Sequence, residues 1–366
     1  MGIKGIQQLI LNYIASADLT KLAPNSRVLI DGSGWCFHLL NNPSPNLQNG
    51  GKDDGGLGPI ARQHNGDYDL LAIRTKNYIR YLQELGLRPE IWWDGSKTKL
   101  KSKTHASRRE QRKMRMEKHR MYCEEGIVKD VQQDDLPPPP LFIAQVKHTL
   151  SRMKDVKQVI CEYEADPEMA HESSKTDSII LANDSDFLFF KGCHYVTFNC
   201  GILCQKDNES GELNVPYAQI LTRSGFAKHL EVQEKSLIEW AIFVGNDFTS
   251  PFVKQDIFHV IDANQKKNEE LTLLLPDGDE YRHENEAKLE KLDQIFANKD
   301  YLLKSTSNLA LQNAIDFSRA YYNYGDMSNF DDDQNESNDD DEDDNRRRET
   351  SNCDMYLKRM NLRNNN

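Results

Sequence analysis

The chain has 366 residues, 46 Lys and Arg against 58 Asp and Glu, a formal net charge of −12, and 38% hydrophobic residues. That length suits one large domain or two, with enough apolar residues for a sizeable core. No run approaches the roughly 18 apolar residues of a membrane span. Gln7, Gln8 and Asn12 interrupt what would be a signal-peptide apolar region, and seven scattered Cys suit a reducing compartment. A soluble intracellular protein is expected.

In chain order, Ile6, Leu9, Ile10, Tyr13 and Ile14 recur at helical spacing and predict an opening amphipathic helix. Arg27 to Asp31 (RVLID) reads as a buried strand. Residues 41–66 are rich in Gly, Pro and Asn and read as a long mobile loop. A helix is expected from Tyr68 to Leu85, stopped by Gly86, then a strand over Glu90 to Asp94. From Ser96 to Glu125 there is no Gly or Pro, so this stretch reads as helix. Leu141 to Met153 is amphipathic. Further strands are expected over Gln158–Cys161, Ser178–Ala182 and Tyr195–Phe198, with helices over Glu164–Ser173 and Leu237–Val244. Strands separated by helices predict an α/β fold, a central mainly parallel sheet flanked by helices.

Charge is unevenly placed. Lys97 to Arg120 holds 11 Lys and Arg but only Glu110 and Glu117, a net +9 in 24 residues. Such density is an electrostatic footprint for phosphates. At the other end, residues 331–366 carry 12 acids and 6 bases. Their acidic, Asn-rich composition offers nothing to pack, so a disordered tail is expected, and protein partners could bind it.

Four apolar strands run straight into carboxylates. Val28-Leu-Ile ends at Asp31, and Ile91-Trp-Trp at Asp94. Val159-Ile-Cys leads to Glu162 and Glu164, and Ile179-Ile-Leu-Ala to Asp184 and Asp186. In an open parallel sheet the carboxyl ends of the strands share one edge, where ligands bind. A lone Asp after a strand is usually a turn former or helix cap, but all four motifs together, with a basic segment directly after Asp94, are harder to dismiss. At about 4 Å two like charges repel by roughly 4 kcal/mol at an effective dielectric near 20. Six such groups must be protonated or hold cations. Oxygen ligands without His favour Mg²⁺ or Mn²⁺, and two such ions suit phosphodiester hydrolysis.

MGIKGI (1–6), VLIDGSG (28–34), NGDYD (65–69), IWWDG (91–95), EYEAD (162–166), ANDSDF (182–187) and VGNDF (244–248) stand in this order. With them the chain resembles the flap endonuclease and XPG superfamily. NGDYD, and the pairing of EAD with NDSDF, resemble its asteroid branch in particular. The resemblance implies a PIN-like core over residues 1–250, made of an N-terminal region (about 1–120) and an internal region (about 141–250). A helical extension would cover 251–330 and the acidic tail 331–366. It implies a Mg²⁺- or Mn²⁺-dependent, structure-selective DNA endonuclease with two ions held by Asp31, Asp94, Glu162, Glu164, Asp184, Asp186 and Asp247. Lys101 and Arg108, seven and fourteen residues after Asp94, match the family's contacts to the scissile phosphate. Phe37 matches its stacking aromatic. The basic stretch becomes a helical gateway. Gly2, Lys97, Lys99, Lys103, Arg109, Arg112 and Lys113 join the expected contacts to branched or single-stranded DNA. A nuclear location and a role in DNA repair follow from the same resemblance.

One departure is clear. Flap nucleases follow the last acid with a Gly-rich helix-hairpin-helix, whereas Pro251 to Glu270 contains no Gly. No convincing sliding-clamp motif is found either. Two alternatives stand beside the endonuclease, a catalytically silent nuclease-fold scaffold and a PIN-type ribonuclease.

Overall fold

The computed structural model describes residues 7–42, 66–96, 102–126, 136–205, 215–244, 246, 249 and 309–323. The loop expected over 41–66 falls almost wholly outside these residues, as does the acidic tail. So does the extension over 251–330, except for its last helix.

The elements begin with α1 (Gln7–Ser16), β1 (Leu19–Lys21), β2 (Arg27–Asp31), α2 (Gly32–Asn41), α3 (Tyr68–Glu84) and β3 (Arg88–Trp93). Next come α4 (Ser102–Glu125), α5 (Phe142–Ser151), β4 (Lys157–Ile160), α6 (Ala165–Thr176) and β5 (Ile179–Ala182). After them stand a 3-10 turn (Ser185–Leu188), β6 (His194–Thr197), β7 (Ile202–Gln205), β8 (Val215–Gln219), α7 (Arg223–His229), α8 (Glu234–Val244) and α9 (Leu309–Tyr322).

The central sheet has five strands in the order β4-β3-β2-β5-β6, all parallel. Its middle is built from the apolar runs that predicted it. Val28, Leu29 and Ile30 of β2 and Ile180, Leu181 and Ala182 of β5 have no exposed surface. Burial on both faces is what a continuous apolar run allows and an alternating one does not. Helices α2, α3 and α5 pack together on one face. From β4 the chain turns back across the sheet through α6 to β5. A right-handed crossover in the reverse direction puts α6 on the opposite face, where it packs on β2, β3 and β5.

Local chemistry sets the helix ends. Asp67 caps α3 by accepting from Leu70 N at 2.9 Å, and Gly86, with φ +73°, follows its end. Leu71, Tyr78, Ile79 and Leu82 form the buried stripe of α3. A second sheet, β1-β8-β7, is antiparallel and was not anticipated. Its short strands mix polar and apolar residues, so their pattern is weak.

At the sheet edge where the strands begin, Arg27 of β2 grips Glu90 of β3 through Nε and Nη2 at 2.8 and 2.9 Å. Lys157 of β4 adds a contact to the same carboxylate at 3.0 Å, and Arg27 also pairs with Glu172 of α6. Burial alone would raise the Glu90 carboxyl, but Arg27 and Lys157 outweigh it and hold it below the usual range. No helix among the described residues is long and apolar enough to cross a membrane.

Candidate active site

The other edge of the sheet carries the acids. The strand order reverses between β2 and β5, and the crevice at such a reversal is where open α/β sheets bind ligands. Asp31 ends β2, and Asp184 lies two residues beyond β5. Both line a cavity of about 540 Å³ together with Asp94, Glu164, Phe37 and Arg108.

Each acid is held by the backbone around it. Asp31 is the N-cap of α2, accepting from Ser33 N at 3.0 Å and Gly34 N at 3.1 Å. A Cβ on Gly34 would collide with that carboxylate, which explains the glycine. Asp94 Oδ1 accepts from Ala165 N at 3.0 Å and Oδ2 from Ser33 Oγ at 3.1 Å. Asp94, just past β3, thus ties the starts of α2 and α6 to one point. Gly95 permits this, since its N donates to Tyr163 O at 2.6 Å and a Cβ there would press on the carbonyls of Cys161 and Glu162. Asp184 caps the 3-10 turn, accepting from Asp186 N at 3.1 Å. Glu164 occupies the N-cap position of α6 and accepts from the Tyr321 hydroxyl at 3.4 Å.

Asp31 records the crowding. Burial raises its carboxyl most, Gly34 and Ser33 oppose that, and the charges of Asp94 and Asp184 add to it, leaving it at about 7. This is the electrostatic cost anticipated for convergent acids. The wall fits a hard divalent cation by donor chemistry, being carboxylate oxygens under mutual repulsion. Among the described residues, however, no three acids, His or Cys lie close enough together to hold an ion.

The structure brings only some of the expected residues to the cavity. Asp31, Asp94, Glu164, Asp184, Arg108 and Phe37 line it. Phe37 is 40% exposed and stands edge-on to Phe142 at 5.0 Å. Glu162 is exposed and Asp186 is buried at 2% exposure, and neither lines the cavity. Arg109, Arg112 and Lys113 are exposed on α4, the basic helix, and Lys103 belongs to the same helix. Gly2, Lys97, Lys99, Lys101 and Asp247 lie outside the described residues.

Helix α4 has almost no buried surface among its described residues, and its start, at His105 and Arg108, meets the cavity. Farther along, Arg120 pairs with Glu117 and Glu124 within the helix. It owes its form to helix-favouring composition and such pairs more than to packing.

Sequence reasoning missed several residues of the wall, among them Asp166, His38, Asn183 and Asn199. Asp166 was in view within EYEAD. His38 stacks on Phe198 with centroids 5.1 Å apart, and burial pulls its pKa down to about 4, so it is neutral at pH 7. Asn183 Oδ1 accepts from Phe198 N at 3.0 Å, joining the ends of β5 and β6.

Residues 1–115 match the XPG N-terminal domain, and residues 138–256 match the family described as XPG domain containing. No curated protein matches the chain in sequence. Among solved structures, it is similar to the catalytic core of Rad2 in complex with DNA substrate, at 18% identity over 86% of each chain with a TM-score of 0.44. It is also similar to human GEN1 in complex with Holliday junction DNA, at 15% identity over 87% of this chain and 62% of that one, with a TM-score of 0.41. The two family matches stand in tandem and take in the whole parallel sheet. By these two domains the chain belongs to the flap endonuclease/XPG superfamily.

Proposed function

We propose that this protein is a divalent-metal-dependent, structure-selective DNA endonuclease of the asteroid branch, acting near single-strand/duplex junctions in nuclear DNA repair. The observation that carries the reading is that Asp31, Asp94, Glu164 and Asp184 line one cavity where the basic helix α4 begins. A fold tolerates this when the acids have a cation to bind.

Asp31, Asp94, Glu164 and Asp184 would hold Mg²⁺ or Mn²⁺, and Glu162, Asp186 and Asp247 complete the expected set. Bound there, two such ions supply an activated water and charge neutralisation at the leaving oxygen. The chain's own groups do the rest. Arg108, with Lys101, places positive charge where the phosphate gains negative charge. Phe37 offers an exposed ring on which a base at the junction stacks. The exposed cations of α4, Arg109, Arg112 and Lys113 among them, track the phosphate backbone.

The test uses full-length protein with labelled flap, overhang, bubble and hairpin DNA and an RNA counterpart, in Mg²⁺, Mn²⁺ or EDTA. Metal-dependent cutting of DNA is expected, and Asp184→Asn with Asp186→Asn should abolish it while the fold survives. Cutting confined to RNA would favour the PIN-type ribonuclease. One observation favours the silent scaffold, namely that no three ligand groups among the described residues lie close enough together to hold one ion. Branched-DNA binding without cutting, in any metal, would establish it.

A further inference from the structure

Helix α9 lies beyond the residues that either family model matches, yet it belongs to the core. Ile315, Tyr321 and Tyr322 are buried in the main hydrophobic cluster. The Tyr321 ring packs on Phe190 at 5.1 Å, and Tyr322 on Phe190 at 5.4 Å and Phe189 at 5.8 Å. Arg319 grips Glu239 of α8 through two bonds of 2.6 Å. Such anchors fix the helix in rotation and in register.

So held, α9 reaches Glu164 in the cavity wall and, separately, a buried polar pair next to α8. The Tyr321 hydroxyl donates to Glu164 Oε2 at 3.4 Å. One turn earlier, Ser318 Oγ donates to Asn246 Oδ1 at 3.4 Å. Asn246 and Thr249 form a buried polar knot. Asn246 N donates to Thr249 Oγ1 at 3.1 Å, Thr249 N to Asn246 Oδ1 at 2.9 Å, and Thr249 Oγ1 to Ile242 O at 2.8 Å. Asn246, Thr249 and Ser318 are at most 1% exposed, so the knot is sealed from water.

We propose that α9 is a positioning element of the nuclease site: Tyr321 orients the Glu164 carboxylate for metal. This rests on the nuclease reading above. The Tyr321 hydroxyl gives the Glu164 carboxylate an orienting contact from a separate element, as backbone amides do for Asp31 and Asp94. Partners of ligating groups commonly change metal affinity 10- to 100-fold. A 3.4 Å bond belongs at the lower end of that range.

The test is Mn²⁺ binding to the full chain without DNA, by calorimetry or electron paramagnetic resonance, with thermal melts in EDTA alongside. Tyr321→Phe keeps the packed ring and removes only the hydroxyl. It should weaken Mn²⁺ binding about tenfold, with an unchanged melt, and move the Mg²⁺ midpoint of cutting by the same factor. In a Glu164→Gln background, Tyr321→Phe should have no further effect on affinity, because the cycle isolates the pair. Unchanged affinity in Tyr321→Phe, or an equal loss in both backgrounds, overturns the proposal, as does a lowered melt with unchanged affinity. Wild-type protein that binds no Mn²⁺ refutes the nuclease reading itself and takes this one with it.

Discussion

Replacing Asp31 with asparagine should stabilise the metal-free protein, and increasingly so as pH rises. The carboxyl moves from 3.8 to about 7 on folding. Between those values the folded protein holds a proton that the unfolded chain has released, so stability falls as pH rises through the window. Each unit is worth about 1.4 kcal/mol, which makes the full cost of ionised Asp31 about 4 kcal/mol above pH 7. Asparagine removes it. The cap survives in part, because one side-chain oxygen still accepts from Ser33 N or Gly34 N. Losing the other acceptor takes back about 1 kcal/mol, leaving about 3 kcal/mol net. At roughly 2 °C or more per kcal/mol, the melting midpoint in EDTA at pH 8 should rise by about 6 °C or more. Below pH 4 the advantage should disappear. Melts of both proteins from pH 4 to 9 measure it, and added Mg²⁺ should stabilise wild type more than the variant. An Asp31→Asn protein no more stable than wild type at pH 8 would refute the idea that burial, with the charges of Asp94 and Asp184, penalises the ionised Asp31.

Three other outcomes are expected. Gly95→Ala forces a Cβ to 2.6 Å from the Glu162 carbonyl and still closer to that of Cys161, so melts should show a loss of about 3 kcal/mol or more. Arg108→Ala should slow single-turnover cutting by about 10²–10³ but weaken DNA binding only a few-fold; a log–log salt series should lose roughly 0.7–0.9 of slope. For His38, held down to about 4 against an ordinary 6.5, the unfolded chain takes up the proton first. Its contribution of up to about 3 kcal/mol is present above pH 6.5 and lost as pH falls toward 4, so urea titrations should show a shallower acid loss in His38→Gln.

Four of the five parallel strands were legible as apolar runs that stop at an acid, and β2 was read to the residue. Helix α2 was not read, because the glycines of Asp31-Gly-Ser-Gly34 signal a loop. The reason lies in tertiary contact: α2 starts against its own cap, and Gly34 leaves room for the Asp31 carboxylate. Of the six strand-end acids, four reach the cavity. Asp186 falls inside the 3-10 turn that Asp184 caps, and Glu162 faces solvent. Spacing along the chain does not distinguish an acid that opens a turn from one buried within it. His38, on α2, and Asn199, just past β6, join the wall only because elements distant in sequence come together, and α9 depends on partners some 80 to 160 residues away, Glu239 and Glu164.

The reversal between β2 and β5 has a consequence for how the chain folds. Val28 pairs with Ile179, and Ile30 with Leu181. Until Ile179 has been made, β2, with Val28, Leu29 and Ile30 wholly buried in the finished fold, has an open edge on that side. At about 5–20 residues per second, a ribosome needs roughly 8–30 s to cover that interval. Through that time the nascent protein carries an apolar template for strand pairing with any neighbour. Fragments ending before Ile179 should therefore aggregate or engage chaperones, whereas a chain reaching Ala182 can close the centre of the sheet. Asp31 and Asp184 become neighbours in the same step, so the cavity forms no earlier than that closure.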